Sequence, residues 1–349
     1  MGRLARISTQ QLVVLVYTLH FSATELLLPS SLARTGHSGG WLAPLLSFFL
    51  ASFPVALMLG RLPGRLLTLL AGLFNLVLTA LCLRDVVELI PVAILPATPP
   101  LAVAVPFIVV ATYGAYCGAE VLARLSFFFV VTAIVILVLG ITTLTELLSP
   151  YRLLPLWEQS PVQLFGAAWP TTGWYAESWS FFPLAAMTDQ PQLVWKGLTL
   201  GALLAAFHLM CCTAMAIGVF GHELVANFAF PIFALFQQIT IGEFVERLDV
   251  ILISICLLGM LVKTAAHLWL AAGATGFGLG MANHRPLLPA LGLVAVVLMW
   301  LIPNLPWLFI FSTTLWIPFS LGLGYGVPAL LLAASWIRTR QGRQPNMQT

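Results

Sequence analysis

The 349-residue chain is 60% hydrophobic and only 8% charged, with a mean hydropathy of +1.00, which excludes a water-soluble globular domain. Its net charge of +3 comes from scattered basic residues, so nothing supports nucleic-acid binding. The five cysteines, Cys82, Cys117, Cys211, Cys212 and Cys256, lie in apolar segments without metal-ligand spacing or a disulfide framework, and are expected as packing residues.

Windows of bilayer-spanning length give ten apolar segments: 11–32, 41–60, 66–95, 100–119, 121–148, 163–187, 193–220, 244–272, 287–303 and 307–337. Arginines lead into the first without a cleavage-like small-residue site, so it is expected as a retained helix. The stretch 226–241 is interrupted by Pro231 and polar at Gln237 and Gln238, which fits an interfacial or re-entrant helix better than a further span. With both termini inside, most basic residues fall on the cytoplasmic side, and only Arg34, Arg84, Arg152 and Arg247 fall outside. Trp41, Trp195, Trp307 and Trp336 sit near span ends, as interfacial anchors do. The expected fold is an all-α polytopic membrane protein, one domain over 1–349.

Two segments are broken. The first carries His20-Phe-Ser-Ala-Thr-Glu-Leu-Leu-Leu-Pro29, small, polar and acidic where a lipid-facing anchor would be apolar. The sixth carries Trp169-Pro-Thr-Thr-Gly-Trp-Tyr-Ala-Glu177, with a proline, a glycine and an acid at its centre. They are the first spans of two five-span halves, about 7–149 and 161–338. An odd number of spans per half places the halves in opposite orientations, the arrangement of an inverted repeat. A break at Ser22, Ala23 and Thr24 leaves free N–H groups at a helix start, suited to an anion, while the adjacent Glu25 would repel an anion unless protonated or paired, or would hold a cation. A second break at Thr171, Thr172, Gly173, Trp174 and Tyr175 is expected to offer carbonyls to an ammonium, with Trp174 and Tyr175 lining a side-chain pocket. The opposing reading makes both breaks plain kinks whose backbone is satisfied by water or by neighbouring helices.

Other charges are fewer. Lys263 stands inside an apolar span, so it requires a carboxylate or carbonyl partner, loses its proton, or snorkels to the interface; we expect a fixed positive charge that stands in for a coupling cation near the first break, with a purely structural charge as the alternative. Arg84 and Glu88 share a helix face, as do Glu120 and Arg124, four residues apart in each case. The cluster around Arg84, with Asp85 and Glu88, reads as an interfacial charge group that sets helix depth or docks a partner. His20, His208 and His267 are embedded and expected to bond between helices. Gly221-His-Glu-Leu-Val-Ala226 opens like a zincin helix, but Ala226 stands where the second ligand would be. Gly273 to Gly280 lacks the strand and lysine of a phosphate cradle. No enzyme signature, metal site or cofactor is expected.

The segment Ile241-Gly-Glu-Phe-Val-Glu-Arg-Leu-Asp249 resembles the one before the eighth span of the permease-like B subunits of bacterial spore germinant receptors, in the amino acid-polyamine-organocation superfamily. The similarity extends to Leu257-Leu-Gly-Met-Leu-Val-Lys263, to 84–99, to 114–124 and to the opening Ile7-Ser-Thr-Gln-Gln11. It implies ten helices in a LeuT-type 5+5 fold with broken helices 1 and 6. It further implies sensing of a nutrient amino acid or similar germinant at the spore inner membrane, with A and C subunits as partners. Docking is then expected through membrane-facing spans and the charges of Arg84, Glu88, Glu243, Glu246 and Arg247. Ser22 stands where that family usually has glycine, and Glu25 where it has an aliphatic residue. Alternative readings are a working secondary amino acid transporter and a scaffold subunit with a vestigial pocket.

Overall fold

The computed structural model describes residues 7–22, 24–53, 65–154, 160–239, 248–327 and 329. Apart from one isolated bridge between Ile7 and Thr188, the described residues form helices and their connections. Long unbroken apolar segments are satisfied this way, because in a helix each backbone group bonds within its own segment and none is left bare in lipid.

The first half opens with α1, Thr9–Phe21, which starts at a reciprocal cap: Ser8 accepts from the Gln11 N–H, and the Gln11 side chain accepts from the Ser8 N–H. Next come α2, Thr24–Gly36, and α3, Ala43–Ser47, the latter running into a π turn, Phe48–Ser52. Three long helices follow: α4, Arg65–Ala93; α5, Pro100–Cys117; and α6, Ala119–Thr143. The α5–α6 corner turns on Gly118 at φ 97°, a conformation that a side chain would strain.

The second half opens the same way, with Ser160 and Gln163 capping each other at the start of α7, Pro161–Ala176. A 3₁₀ segment, Glu177–Met187, leads to α8, Val194–Phe220. The short α9, His222–Val225, and α10, Pro231–Phe236, precede α11, Leu248–Gly278, and α12, Leu287–Met299. The described residues end with α13, Leu305–Ile310, and α14, Trp316–Leu321, joined by a π turn and followed by another, Gly322–Gly326. The residues of α10 are almost all buried, so this element is a plug inside the bundle rather than a helix lying on its surface.

Among the described residues six helices are long and apolar enough to cross a membrane, and a seventh if the bent pair Thr9–Phe21 and Leu26–Ser52 counts as one span. The protein is therefore an all-α polytopic membrane protein. Helices α4 and α11 run against each other along their length and form its centre. They approach closely because Gly72 faces Thr275 and Gly278 faces Leu69: a methyl at either glycine would fall 2.7 Å and 2.4 Å from those side chains. Helix α1 packs on α8 through Gly197 and Gly201, where Leu12 and Val16 fill the space a side chain would take.

Candidate ligand site at the two helix breaks

Helix α1 ends inside the protein. Ser22 closes it by donating its N–H to the Thr18 carbonyl at 3.2 Å, and the path beyond is bent by 62°. The Ser22 side chain is buried against α11 at Gly259, where an added methyl would meet its Cβ at 2.8 Å and the Phe129 ring at 2.4 Å. Ala23 and the side chains of Thr24 and Glu25 lie outside the described residues.

The second interruption is not where the sequence placed it. Helix α7 is continuous through Thr171, Thr172, Gly173, Trp174 and Tyr175, and changes to 3₁₀ only at Glu177. Packing explains the correction. The Thr171 and Thr172 hydroxyls donate to the Ala168 carbonyl at 3.0 and 2.8 Å, and Ser47 of α3 bonds to Thr171. Gly173, expected to loosen the helix, instead seats α14: a methyl there would lie 2.8 Å from the Ile317 Cα. Neighbouring helices thus hold the proline-containing turn in register, and the backbone stays helical through those five positions.

At the actual change of helix, Glu177 meets Lys263 of α11. Lys263 Nζ lies 3.5 Å from Glu177 Oε1, and both side chains are 0% exposed. The Trp174 ring lies 5.5 Å from the ammonium. Of the three fates open to Lys263, the structure selects a carboxylate partner. Neither Glu177 oxygen nor Lys263 Nζ has a hydrogen-bond partner among the described residues; the same is true of Ser22 Oγ, His267 Nε2 and the indole nitrogens of Trp174, Trp179 and Trp316.

A polar layer surrounds this pair and ties five segments together. His20 of α1 bonds through Nε2 to Ser178 Oγ at 2.9 Å and stacks on Tyr175 with ring centroids 5.4 Å apart. Ser52 reaches Ser178 at 2.6 Å. Ser180 donates to the Glu177 carbonyl at 2.9 Å, and Asn75 of α4 donates to the Ser180 carbonyl at 3.3 Å and the Ala71 carbonyl at 2.8 Å. With its amide N–H groups so engaged, Asn75 Oδ1 must accept from His267 Nδ1 at 2.8 Å. In the neutral ring His267 Nε2 is then a bare acceptor. His208 bonds to Tyr17, so all three embedded histidines bond between helices, as their position in apolar spans implied.

Other charges serve elsewhere. Arg84, 3% exposed, bonds to Glu88 and donates to the Pro303 carbonyl at 2.9 Å, so it ties α4 to the chain after α12. Asp85 beside it is also buried. Glu120 and Arg124 pair on the surface at the start of α6. Near them a cavity of about 140 Å³ is lined by Tyr116, Trp269 and Arg285. Glu243, Glu246 and Arg247 lie outside the described residues.

The sequence reading missed Glu177 as the lysine's partner and Asn75, Ser52 and Ser178 as the frame around it. One signal was present: Glu177 is an acid in an interrupted apolar span, as Glu25 is in the other. Asn75 is likewise a lone amide in a run of apolar residues.

A bundle of apolar helices, enclosing a charged layer where one helix bends and another tightens, defines an integral membrane protein whose interior carries the chemistry. Residues 55–305 match the family described as spore germination protein, and the chain belongs to that family. A provisionally named spore germination protein of Bacillus subtilis (strain 168), YfkT, is 28% identical over 243 residues, covering 67% of this chain and 64% of that relative. The matched region thus spans just under two thirds of the relative's length. The family is one of germination-related membrane proteins and not a known enzyme family.

Proposed function

We propose that this chain is the membrane subunit of a nutrient-germinant receptor, which binds an amino acid or similar small germinant between its two interrupted helices. The observation that carries the reading is the buried polar layer, in which charged and hydrogen-bonding groups stand without partners where α1 ends and α7 tightens. Intramembrane ionisable groups facing a bundle interior mark ligand or ion sites by default, because burying them is costly without a use. In this reading the chain is a single domain of ten spans, a LeuT-type inverted repeat in the spore inner membrane, with A and C subunits as partners.

Two features support the repeat. Each half opens with the same Ser-x-x-Gln cap, at Ser8 and Ser160, followed by a helix interrupted inside the protein. The start of α1 also lies beside the end of the 3₁₀ segment, with the Ile7 N–H donating to the Met187 carbonyl at 2.9 Å, while its far end meets Ser178 through His20. The two segments therefore run antiparallel past each other, as α1 and the continuation of its counterpart α7 do when an in-plane axis relates the halves.

The test is a thermal-stability screen of the reconstituted chain against amino acids, sugars and nucleosides. A ligand at one hundred times its dissociation constant stabilises the folded state by about 2.7 kcal/mol, a readable shift. A response to a member of these classes is expected; none to any of them would remove the binding role and favour a scaffold. Uptake of the stabilising compound into proteoliposomes would instead assign transport.

A further inference from the structure

We infer that Glu177 and Lys263 are the two ends of a recognition site for a zwitterion, whose charged groups replace the contact between the two side chains. The inference rests on the proposed binding role and names its chemical class and the two residues that set it.

The argument starts from what the pair lacks. At 3.5 Å the two charged groups are farther apart than the roughly 2.7–2.9 Å of a charge-assisted N–H···O bond. A lysine ammonium carries three donors and a carboxylate several acceptor sites, yet none is hydrogen-bonded to another described residue. A buried ion pair repays its desolvation only when the geometry is good and its remaining hydrogen-bonding positions are filled. Here they are not. Arg84, 3% exposed, is better held, since its Nη2 bonds to Glu88 and to the Pro303 carbonyl, although its Nε and Nη1 also stand without a partner among the described residues. The Glu177–Lys263 pair keeps its valences open, and the groups around it do the same: Trp174 Nε1 on the ring facing the ammonium, Ser22 Oγ at the break, and His267 Nε2 one turn along α11 from Lys263.

Charge then selects the guest. The pair is neutral as a unit, and inserting a simple anion or a simple cation would leave a net charge in a dry interior. A zwitterion does not. Its ammonium supplies donors to the Glu177 oxygens, and its carboxylate accepts from Lys263 and from an indole N–H such as that of Trp174. Each protein charge exchanges one partner for a better one, and the site stays neutral. The element that must yield is the 3₁₀ segment carrying Glu177, whose hydrogen bonds are of poorer geometry than those of α11.

The experiment uses the full chain in lipid nanodiscs, with thermal stability as the readout. Each amino acid that stabilises the wild type is compared with its amide, a cation, and with its deaminated acid, an anion. Only the zwitterion is expected to act on the wild type, with at least about a tenfold advantage in affinity (about 1.4 kcal/mol) over either analogue. Glu177→Gln leaves Lys263 alone, so the preference should pass to the deaminated acid. The uncharged double variant Glu177→Gln/Lys263→Met, which leaves no orphan charge to unfold it, should respond to none of the three. Equal response of the wild type to the amide or the acid, an unchanged preference in Glu177→Gln, or a zwitterion response in the double variant would each overturn the assignment. A wild type that answers only to a sugar or nucleoside would also overturn it while leaving the receptor reading intact; a wild type that answers to nothing would overturn both.

Discussion

Helices α4 and α11 differ from α6 in a way that inverts the rule for soluble proteins. Over their spanning windows 78% of α4 and 61% of α11 are buried against protein, but only 22% of α6, which is the most apolar of the three. The buried helices carry the polar groups: Thr68, Asn75, Thr79, Arg84 and Asp85 on α4, and Lys263, Thr264 and His267 on α11. Helix α6 presents Phe127, Phe128, Val131, Ile134, Val135 and Val138 outward, and its half-buried Thr132 donates to the Phe128 carbonyl of its own helix at 2.7 Å. The surrounding medium accounts for this. Lipid is as apolar as leucine and exerts no hydrophobic pull on the helices, so the interior is chosen by polar contacts and by small residues that permit close approach.

Three sets of substitutions would sharpen that contrast. The largest effect is expected at the centre: Lys263→Met strands Glu177 in a dry interior and should destabilise the protein by about 3–5 kcal/mol, whereas adding Glu177→Gln should restore most of that loss. Thermal unfolding of the single and double variants in one lipid composition measures the difference. If both lose equally, the polar layer is held by its other members and not by the pair.

A smaller effect is expected where the polar centre meets the lipid-facing helix. Gly259→Ala places a methyl 2.4 Å from the Phe129 ring of α6 and 2.8 Å from Ser22, and should cost about 1–3 kcal/mol through overpacking. Because the Ser22 backbone lies at the break, the same variant should weaken ligand-induced stabilisation. Unfolding and ligand titration on one preparation would read both, and an unchanged Tm would mean that α6 shifts freely.

The smallest belongs to the lipid face. Phe128 is 63% exposed, and Phe128→Leu should change stability by less than about 0.5 kcal/mol, with no change in ligand response. A loss above that, in a denaturation series, would show that the exposed face of α6 is covered by a protein partner instead of lipid.

The sequence by itself determined the solvent and the helices. Continuous apolar segments of spanning length satisfy their backbone as helices, and the bounds of α4, α5, α6 and α8 fall within a few residues of the apolar windows. The break at Ser22 was legible because small polar residues interrupt an apolar run, and the Arg84–Glu88 pair because a four-residue spacing lies within one helix. Such features are local. Where α7 loses its regular form was decided by tertiary packing, since Ser47 and Ile317, more than a hundred residues away in either direction, hold the Thr171–Gly173 turn helical and move the change to Glu177. The partner of Lys263 was likewise hidden: spacing along one helix names neighbours at three and four residues, whereas a contact between residues 177 and 263 exists only once the 3₁₀ segment after α7 is set against α11. A buried charge states in the sequence that it needs a partner, and only the packing of helices decides which one it has.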